Sequence, residues 1–273
     1  MDPFQGRVAV ITGGAGGIGG ALAAAFAARG AKLVLADVDA AGLEKAEREH
    51  RARGSEVLAV QTDVTKRDQV LALADATYDR FGAAHLVCNN AGIALLGPID
   101  QCSDADWELT MAINFWGVLY GVQAFLPRML ASGEGGHLLN TASMAGLVGM
   151  AYFSAYNASK FAVVGLSEAL HRELKPRGIG VSVLCPMIVE TDLTRNSLRL
   201  RADAEGSGAP VPEQPAAETM KGGIKQPAEV AARVVRAIER GQLYVLTHEE
   251  QREILRRRGQ RLDAVFAPES WEL

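Results

Sequence analysis

The feature that most constrains this chain is a regular alternation of short apolar, β-branched runs with helical stretches through most of its length. Val8 to Ile11 reads as a strand, followed by a glycine-rich turn and an alanine-rich helix over about Ile18 to Arg29. The alternation continues with predicted strands at Lys32 to Ala36, Glu56 to Gln61, His85 to Cys88, His137 to Asn140 and Gly180 to Leu184. Between them lie predicted helices over about Ala40 to Arg53, Lys66 to Arg80, Ala105 to Leu130 and Phe153 to Leu174. Strands separated by helices imply parallel pairing through right-handed crossovers, with both sheet faces covered. The continuous apolar segments Leu33 to Leu35 and Leu86 to Val87 fit burial on both faces. The expectation is an α/β chain with a doubly wound parallel sheet.

With 273 residues, 48% of them apolar, the chain can bury a core of that kind, and a single domain over 1–273 is expected. Its 28 Lys and Arg against 32 Asp and Glu leave a net charge of −4, so no overall field favours nucleic acid as a partner. Cys88, Cys102 and Cys185 have neither C-x-x-C spacing nor an accompanying His tract. No metal site is expected, and thiols in a reducing compartment are the plain reading. No basic stretch followed by a long apolar run opens the chain, and no run of about 18 uninterrupted apolar residues occurs. A cytoplasmic protein without a membrane partner is therefore expected.

The alternation lapses between about Glu190 and Lys225. Ala202 to Gly223 carries Pro210, Pro212 and Pro215 with Gly206, Gly208, Gly222 and Gly223, the composition of a mobile loop. Such a loop is either a functional lid or disordered; a mobile substrate lid over 190–225 is the preferred reading. A helix over about Ala228 to Arg240, a short strand at Leu243 to Leu246 and a charged helix from near His248 follow. Arg256, Arg257 and Arg258 read as a solvated helix face.

Chemistry first becomes legible at Thr12-Gly13-Gly14-Ala15-Gly16-Gly17-Ile18-Gly19, between the first strand and the first helix. Backbone N–H groups at a helix N-terminus can hold a pyrophosphate, and residues without side chains let the backbone approach it. A tight strand–helix connection has the same composition, so the turn alone is weak evidence. Asp37, at the end of the second strand, adds to it, because a carboxylate there can accept hydrogen bonds from an adenosine ribose diol. The same carboxylate repels a 2′-phosphate, and neither Gly16 nor Val38 is a cation that offsets it, which favours NAD over NADP. Farther along, Tyr156 and Lys160 stand four apart on a predicted helix and so share one face. At about 4 Å a cation attracts a phenolate by about 4 kcal/mol at an effective dielectric near 20, or about three pKa units before desolvation opposes it. That is enough to draw a tyrosine toward neutrality as a general acid or base.

Taken together, TGxxxGIG at Thr12 to Gly19, Asp63-Val64, Asn89-Asn90-Ala91-Gly92, Asn114, Ser143 and Tyr156-x-x-x-Lys160 resemble the short-chain dehydrogenase/reductase family. The resemblance covers about residues 6 to 195, with the motifs in the family's order. It implies a single-domain Rossmann fold of about seven parallel strands, assembled as a tetramer or dimer. It implies Tyr156 as general acid/base, Lys160 on the nicotinamide ribose, Ser143 orienting the substrate oxygen, and Asn114 holding a water that links Lys160 to solvent. Cofactor contacts implied by it, with the reading above, are Gly13, Gly17, Ile18, Gly19, Asp37, Asp63, Val64, Asn90, Gly92, Pro186 and Thr191. Asp63 matches the adenine-amine acceptor, and Thr191 the threonine on the nicotinamide carboxamide.

One residue departs from the family: Met187 follows Pro186 where a glycine is usual. That either alters the local loop or trims the substrate pocket, and pocket shaping is preferred because Met is adaptable. By position, Ile93, Leu95, Leu96, Met144, Leu147, Met150, Phe153, Met187, Ile188 and Leu193 border the substrate. Among them Leu95, Met144, Met150, Phe153 and Met187, with Ser143, are the candidate substrate contacts. Their apolar character suggests a hydrophobic or aryl secondary alcohol or ketone. His171, farther along the helix of Tyr156, reads as structural. The expected activity is NAD-dependent interconversion of a secondary alcohol and a ketone. The alternatives are an NADPH-dependent carbonyl reductase and a non-catalytic dinucleotide-sensing protein on the same fold.

Overall fold

The structure is a computed structural model that describes residues 2–205 and 223–266. Its strands are β1 (Val8–Thr12), β2 (Lys32–Asp37), β3 (Val57–Gln61), β4 (Leu86–Asn89), β5 (Gly136–Thr141), β6 (Ile179–Cys185) and β7 (Tyr244–Leu246). They form one seven-stranded sheet in the order β3-β2-β1-β4-β5-β6-β7, with every pair parallel. The helices are α1 (Gly17–Ala27), α2 (Ala40–Ala52), α3 (Arg67–Phe81), α4 (Asp104–Met111), α5 (Gly117–Ser132), α6 (Ser154–Leu174), α7 (Leu193–Glu205), α8 (Pro227–Glu239) and α9 (Gln251–Asp263).

Side chains alternate across the sheet with a period of two, so each strand feeds two cores. Ala9, Ile11, Leu33 and Leu35 pack on one face against Leu22 and Phe26 of α1 and Val230 and Val234 of α8. Val8, Val10 and Val34 pack on the other against Val70 and Leu73 of α3 and Val122 and Phe125 of α5. Each fully buried side chain of this size contributes roughly 1.5–3 kcal/mol. All three cysteines are free thiols, Cys88 and Cys185 being buried. The stretch Asp104–Ser132 is long and apolar enough to cross a membrane, but half of it is buried here, as in a core helix.

Two departures from the sequence reading matter for the site. The helix expected without a break over Ala105 to Leu130 is interrupted by a π-turn, Ala112–Trp116, which carries Asn114. The segment expected to be loop from Glu190 is helical over α7. The reason is tertiary: Ser197 Oγ accepts from Ala94 N at 2.9 Å, and Arg201 and Asp106 form a buried ion pair. The ends of the 190–225 excursion are drawn together by a bridge in which Glu190 N donates to Lys225 O and Lys225 N to Ile188 O. Most of the Pro- and Gly-rich part of the expected lid, 206–222, lies outside the described residues.

Candidate active site

Strand order reverses between β1 and β4, and the crevice at the carboxyl ends of strands flanking such a switch point is where open α/β sheets bind ligands. A cleft of about 550 Å³ lies there. The ends of β1 and β4 are stitched together by Thr12. Its hydroxyl accepts from Asn90 N (2.9 Å) and Ala91 N (3.1 Å), while Asn90 Nδ2 donates to Thr12 O at 3.0 Å.

Along one end of the cleft run Gly13, Gly17, Ile18, Asp37, Asp63 and Val64; Asn90, Gly92, Tyr156, Lys160, Pro186 and Thr191 complete the predicted lining. The Asp37 carboxylate is fixed from both sides, Oδ2 accepting from Ala15 N and Oδ1 from Asp39 N, each at 3.1 Å. Asp63 Oδ1 accepts from Thr65 N at 2.9 Å and Thr65 Oγ1 at 2.7 Å. Gly19 is different, because it does not line the cleft. A Cβ there would stand 2.0 Å from Gly13 O, so this glycine permits the close approach of α1 to the turn.

At the other end, α6 presents Tyr156 and Lys160 one turn apart, both buried, with Lys160 Nζ 5.5 Å from the tyrosine ring centre. Lys160 Nζ donates to Thr141 O at 3.1 Å, which ties α6 to the end of β5. Ser143 lies just beyond β5. Its Oγ accepts from Ala145 N (3.1 Å) and lies 3.4 Å from Pro186 O, within reach of Tyr156 although outside the cleft lining. Asn114 is fully buried, and its amide is spent on protein: Oδ1 accepts from Ile93 N, and Nδ2 donates to Ile93 O and Ser159 Oγ. A Cβ on Gly92 would lie 3.1 Å from Asn114 Oδ1 and 3.4 Å from Lys160 Nζ, so only a glycine leaves these two groups undisturbed.

The desolvation expected to oppose the lysine is the largest influence on both groups. Burial raises the Tyr156 phenol above its usual value, a hydrogen bond from Ser143 opposes this, and Cys185 adds to the rise. Burial also pushes the Lys160 ammonium down to about 8. The spacing alone implied that the lysine would draw the tyrosine toward neutrality. In the fold both groups are desolvated, and removing water disfavours the charged form of each.

None of the five apolar candidate substrate contacts lines this cleft. Phe153 packs with Tyr156 and Ala145, with Met150, Leu96 and Ala94 against them, as an apolar wall around the tyrosine. Leu95 lies behind α7 with Leu198 and Arg201, in a void too small for a ligand. Met144 turns its sulfur to Gln251 Nε2, 3.4 Å away on α9, and Met187 N donates to Thr247 Oγ1 at 3.4 Å. His171 Nδ1 is 3.1 Å from Val181 O, in keeping with a structural histidine. Sequence reasoning missed the Thr12 hydroxyl, Ser159 and the α7 residues Arg195, Asn196 and Arg199, which line the cleft. The spacing of Leu193, Ser197, Leu200 and Arg201 was the available signal for α7.

The cleft has what a dinucleotide site needs: backbone N–H groups at a helix start, a fixed carboxylate at one end and a buried tyrosine–lysine pair at the other. Comparisons with known proteins agree. The short chain dehydrogenase family profile matches residues 7–201. A short-chain dehydrogenase/reductase from Burkholderia phymatum, solved in complex with NAD, superposes with a TM-score of 0.91 at 39% identity, over 98% of each chain. The 1-deoxy-11-beta-hydroxypentalenate dehydrogenase of Streptomyces exfoliatus is 42% identical over 199 residues, covering 70% of each chain. The C alpha-dehydrogenase of a Sphingobium species is 34% identical over 273 residues, 98% of this chain and 89% of that one. The protein is an oxidoreductase fold of seven parallel strands whose sequence and structure agree in placing it in the short-chain dehydrogenase/reductase family.

Proposed function

We propose that this chain is an NAD-dependent dehydrogenase interconverting a secondary alcohol and a ketone on a hydrophobic or aryl substrate. The observation that carries the proposal is that one continuous cleft has the fixed Asp37 carboxylate at one end and Tyr156 with Lys160 at the other. NAD supplies the hydride acceptor when bound. The backbone around Gly13 to Ile18 would take its phosphates, Asp37 its adenosine ribose and Asp63 with Val64 its adenine. Lys160 would reach the second ribose, and Thr191 with Pro186 would border the nicotinamide.

The chain's own part is orientation and proton handling. Tyr156 Oη takes the proton of the substrate hydroxyl during oxidation and returns one during reduction. Ser143 holds the substrate oxygen beside Tyr156, and a hydrogen bond from that hydroxyl stabilises the phenolate form. Asn114 acts as a positioning residue, holding the Gly92–Ile93 backbone beside Lys160. Phe153, Met150 and Leu96 keep the surroundings of Tyr156 apolar, which supports a hydrophobic substrate. The relative named for a hydroxypentalenate and the neighbour solved with NAD support the same reading.

The test is NADH formation across aryl, alkyl and cyclic secondary alcohols, with NADP in parallel. Tyr156→Phe should lower kcat about 10²- to 10⁴-fold while NADH still binds. Equal turnover in this variant, or turnover with NADP alone, would reject the assignment. Substitution of Asp37 by Ala should narrow the preference for NAD over NADP.

A further inference from the structure

Helix α7 borders the cleft beside the glycine-rich turn: a Cβ on Gly17 would lie 3.3 Å from Thr191 Cγ2, two residues before the helix begins. Its rotation is set by the side that faces the body. Ser197 accepts from Ala94 N, and Arg201 holds Asp106 through Nε to Oδ1 (2.5 Å) and Nη2 to Oδ2 (3.2 Å). Residues three or four apart on a helix share a face, so this attachment leaves Asn196 and Leu200 on the cleft, with Arg195 and Arg199 at its mouth.

Both of these arginines are exposed, but they are not equivalent. Arg195 Nη2 lies 2.9 Å from Asp192 Oδ2, whereas Arg199 has no ion pair or hydrogen bond among the described residues. The glycine-rich turn brings no cation of its own to the cleft, and the exposed lysine that also lines it, Lys66, stands at the start of α3 beside Asp63. Lys160 is committed to Thr141 O at the opposite end. Asp37, Asp39, Asp63 and Asp192 also line the cleft, so an anion entering it meets acids along much of the wall.

We infer that Arg199 is a phosphate-binding residue of this cleft, holding the pyrophosphate of the dinucleotide from the α7 side while the turn holds it through backbone N–H groups. The inference rests on the dinucleotide reading of the cleft. A guanidinium presents a planar fork that matches two phosphate oxygens, and an Arg–phosphate pair is stronger than a neutral hydrogen bond. Arg199 is carried on the helix that Ser197 and Arg201 fasten to the body. The guanidinium is therefore offered to the phosphate from a helix already seated against the body.

The experiment is calorimetric titration of NADH, ADP-ribose and NADPH into the wild type, Arg199→Ala and Arg199→Lys at low and high salt. The Ala variant should weaken NADH and ADP-ribose alike, about tenfold at low salt and less at high salt, with part of the loss restored by Lys. ADP-ribose lacks the nicotinamide and its adenosine is uncharged, so a shared loss that salt diminishes points to the pyrophosphate. A loss confined to NADPH would place the guanidinium at a 2′-phosphate and overturn the inference. So would unchanged binding of all three ligands. Failure of the wild type to bind either NADH or ADP-ribose would instead reject the proposed function, and the inference with it.

Discussion

Asn114, on the π-turn between α4 and α5, clamps the backbone of Ile93 from both sides, accepting from its N–H at 2.9 Å and donating to its carbonyl at 3.0 Å. Asn114→Ala strands both buried groups, each costing about 1–3 kcal/mol. At roughly 2–4 °C per kcal/mol for a chain of this size, Tm should fall by several degrees. Asn114→Asp can still accept from Ile93 N but sets a buried carboxyl oxygen against Ile93 O and Ser159 Oγ, so it should lose kcat and Tm together. Calorimetry and steady-state kinetics on both variants check this, and wild-type kcat in the Asp variant would dismiss the positioning role.

Ser143 opposes the upward push that burial exerts on Tyr156, so its removal should move the tyrosine farther up. Oxidation needs the deprotonated phenol, and its rate should climb with pH on the alkaline side. In Ser143→Ala that climb should shift to higher pH as well as to lower amplitude. The measurement is log kcat against pH for alcohol oxidation in both proteins. A lower amplitude with an unmoved limb would mean that Ser143 acts on the substrate alone.

His137 is buried beneath the sheet end, and burial with nearby His171 pushes it from 6.5 to about 4. Ser182 Oγ donates to Gln242 O, so it accepts from His137 Nε2–H at 2.8 Å, which suits the neutral ring. Above pH 6.5 the imidazole is neutral in both folded and unfolded chains. As pH falls toward 4 only the unfolded chain takes up the proton, and stability on the order of 3 kcal/mol is lost across that window. Tm measured from pH 7 to 4 should drop, and His137→Asn should flatten the drop. An equally steep acid limb in the variant would assign it to other groups.

Asp106 caps α4 through Ser103 and pairs with Arg201 of α7, with both partners of the ion pair buried. Breaking a buried pair from one side typically costs about 3–5 kcal/mol. Asp106→Asn should therefore loosen α7, and hydrogen exchange of the 193–205 amides should rise several-fold relative to those of β1 and β4. Unchanged exchange there would show that the pair does not fasten the helix.

Much of this was legible in the linear chain because it depends on near neighbours. Alternating apolar runs and helical stretches determined parallel strands and the positions of most elements to within a residue or two. The glycine-rich turn, Asp37 and the four-residue spacing of Tyr156 and Lys160 brought the principal cleft residues forward before any packing was known, and the structure sets them along one cleft. The tertiary structure decided the rest. Ser197 meets Ala94 across 103 residues and Arg201 meets Asp106 across 95, so α7 is helical through contacts that its own composition does not display. Gly19 stands behind the cleft and Met144 turns toward α9, because position in a motif specifies a neighbourhood and packing specifies a direction. The environment of Tyr156 was hidden for a similar reason. Spacing brings a lysine near, but only the folded environment sets how much water both groups lose, and here burial pushes the phenol up and the ammonium down.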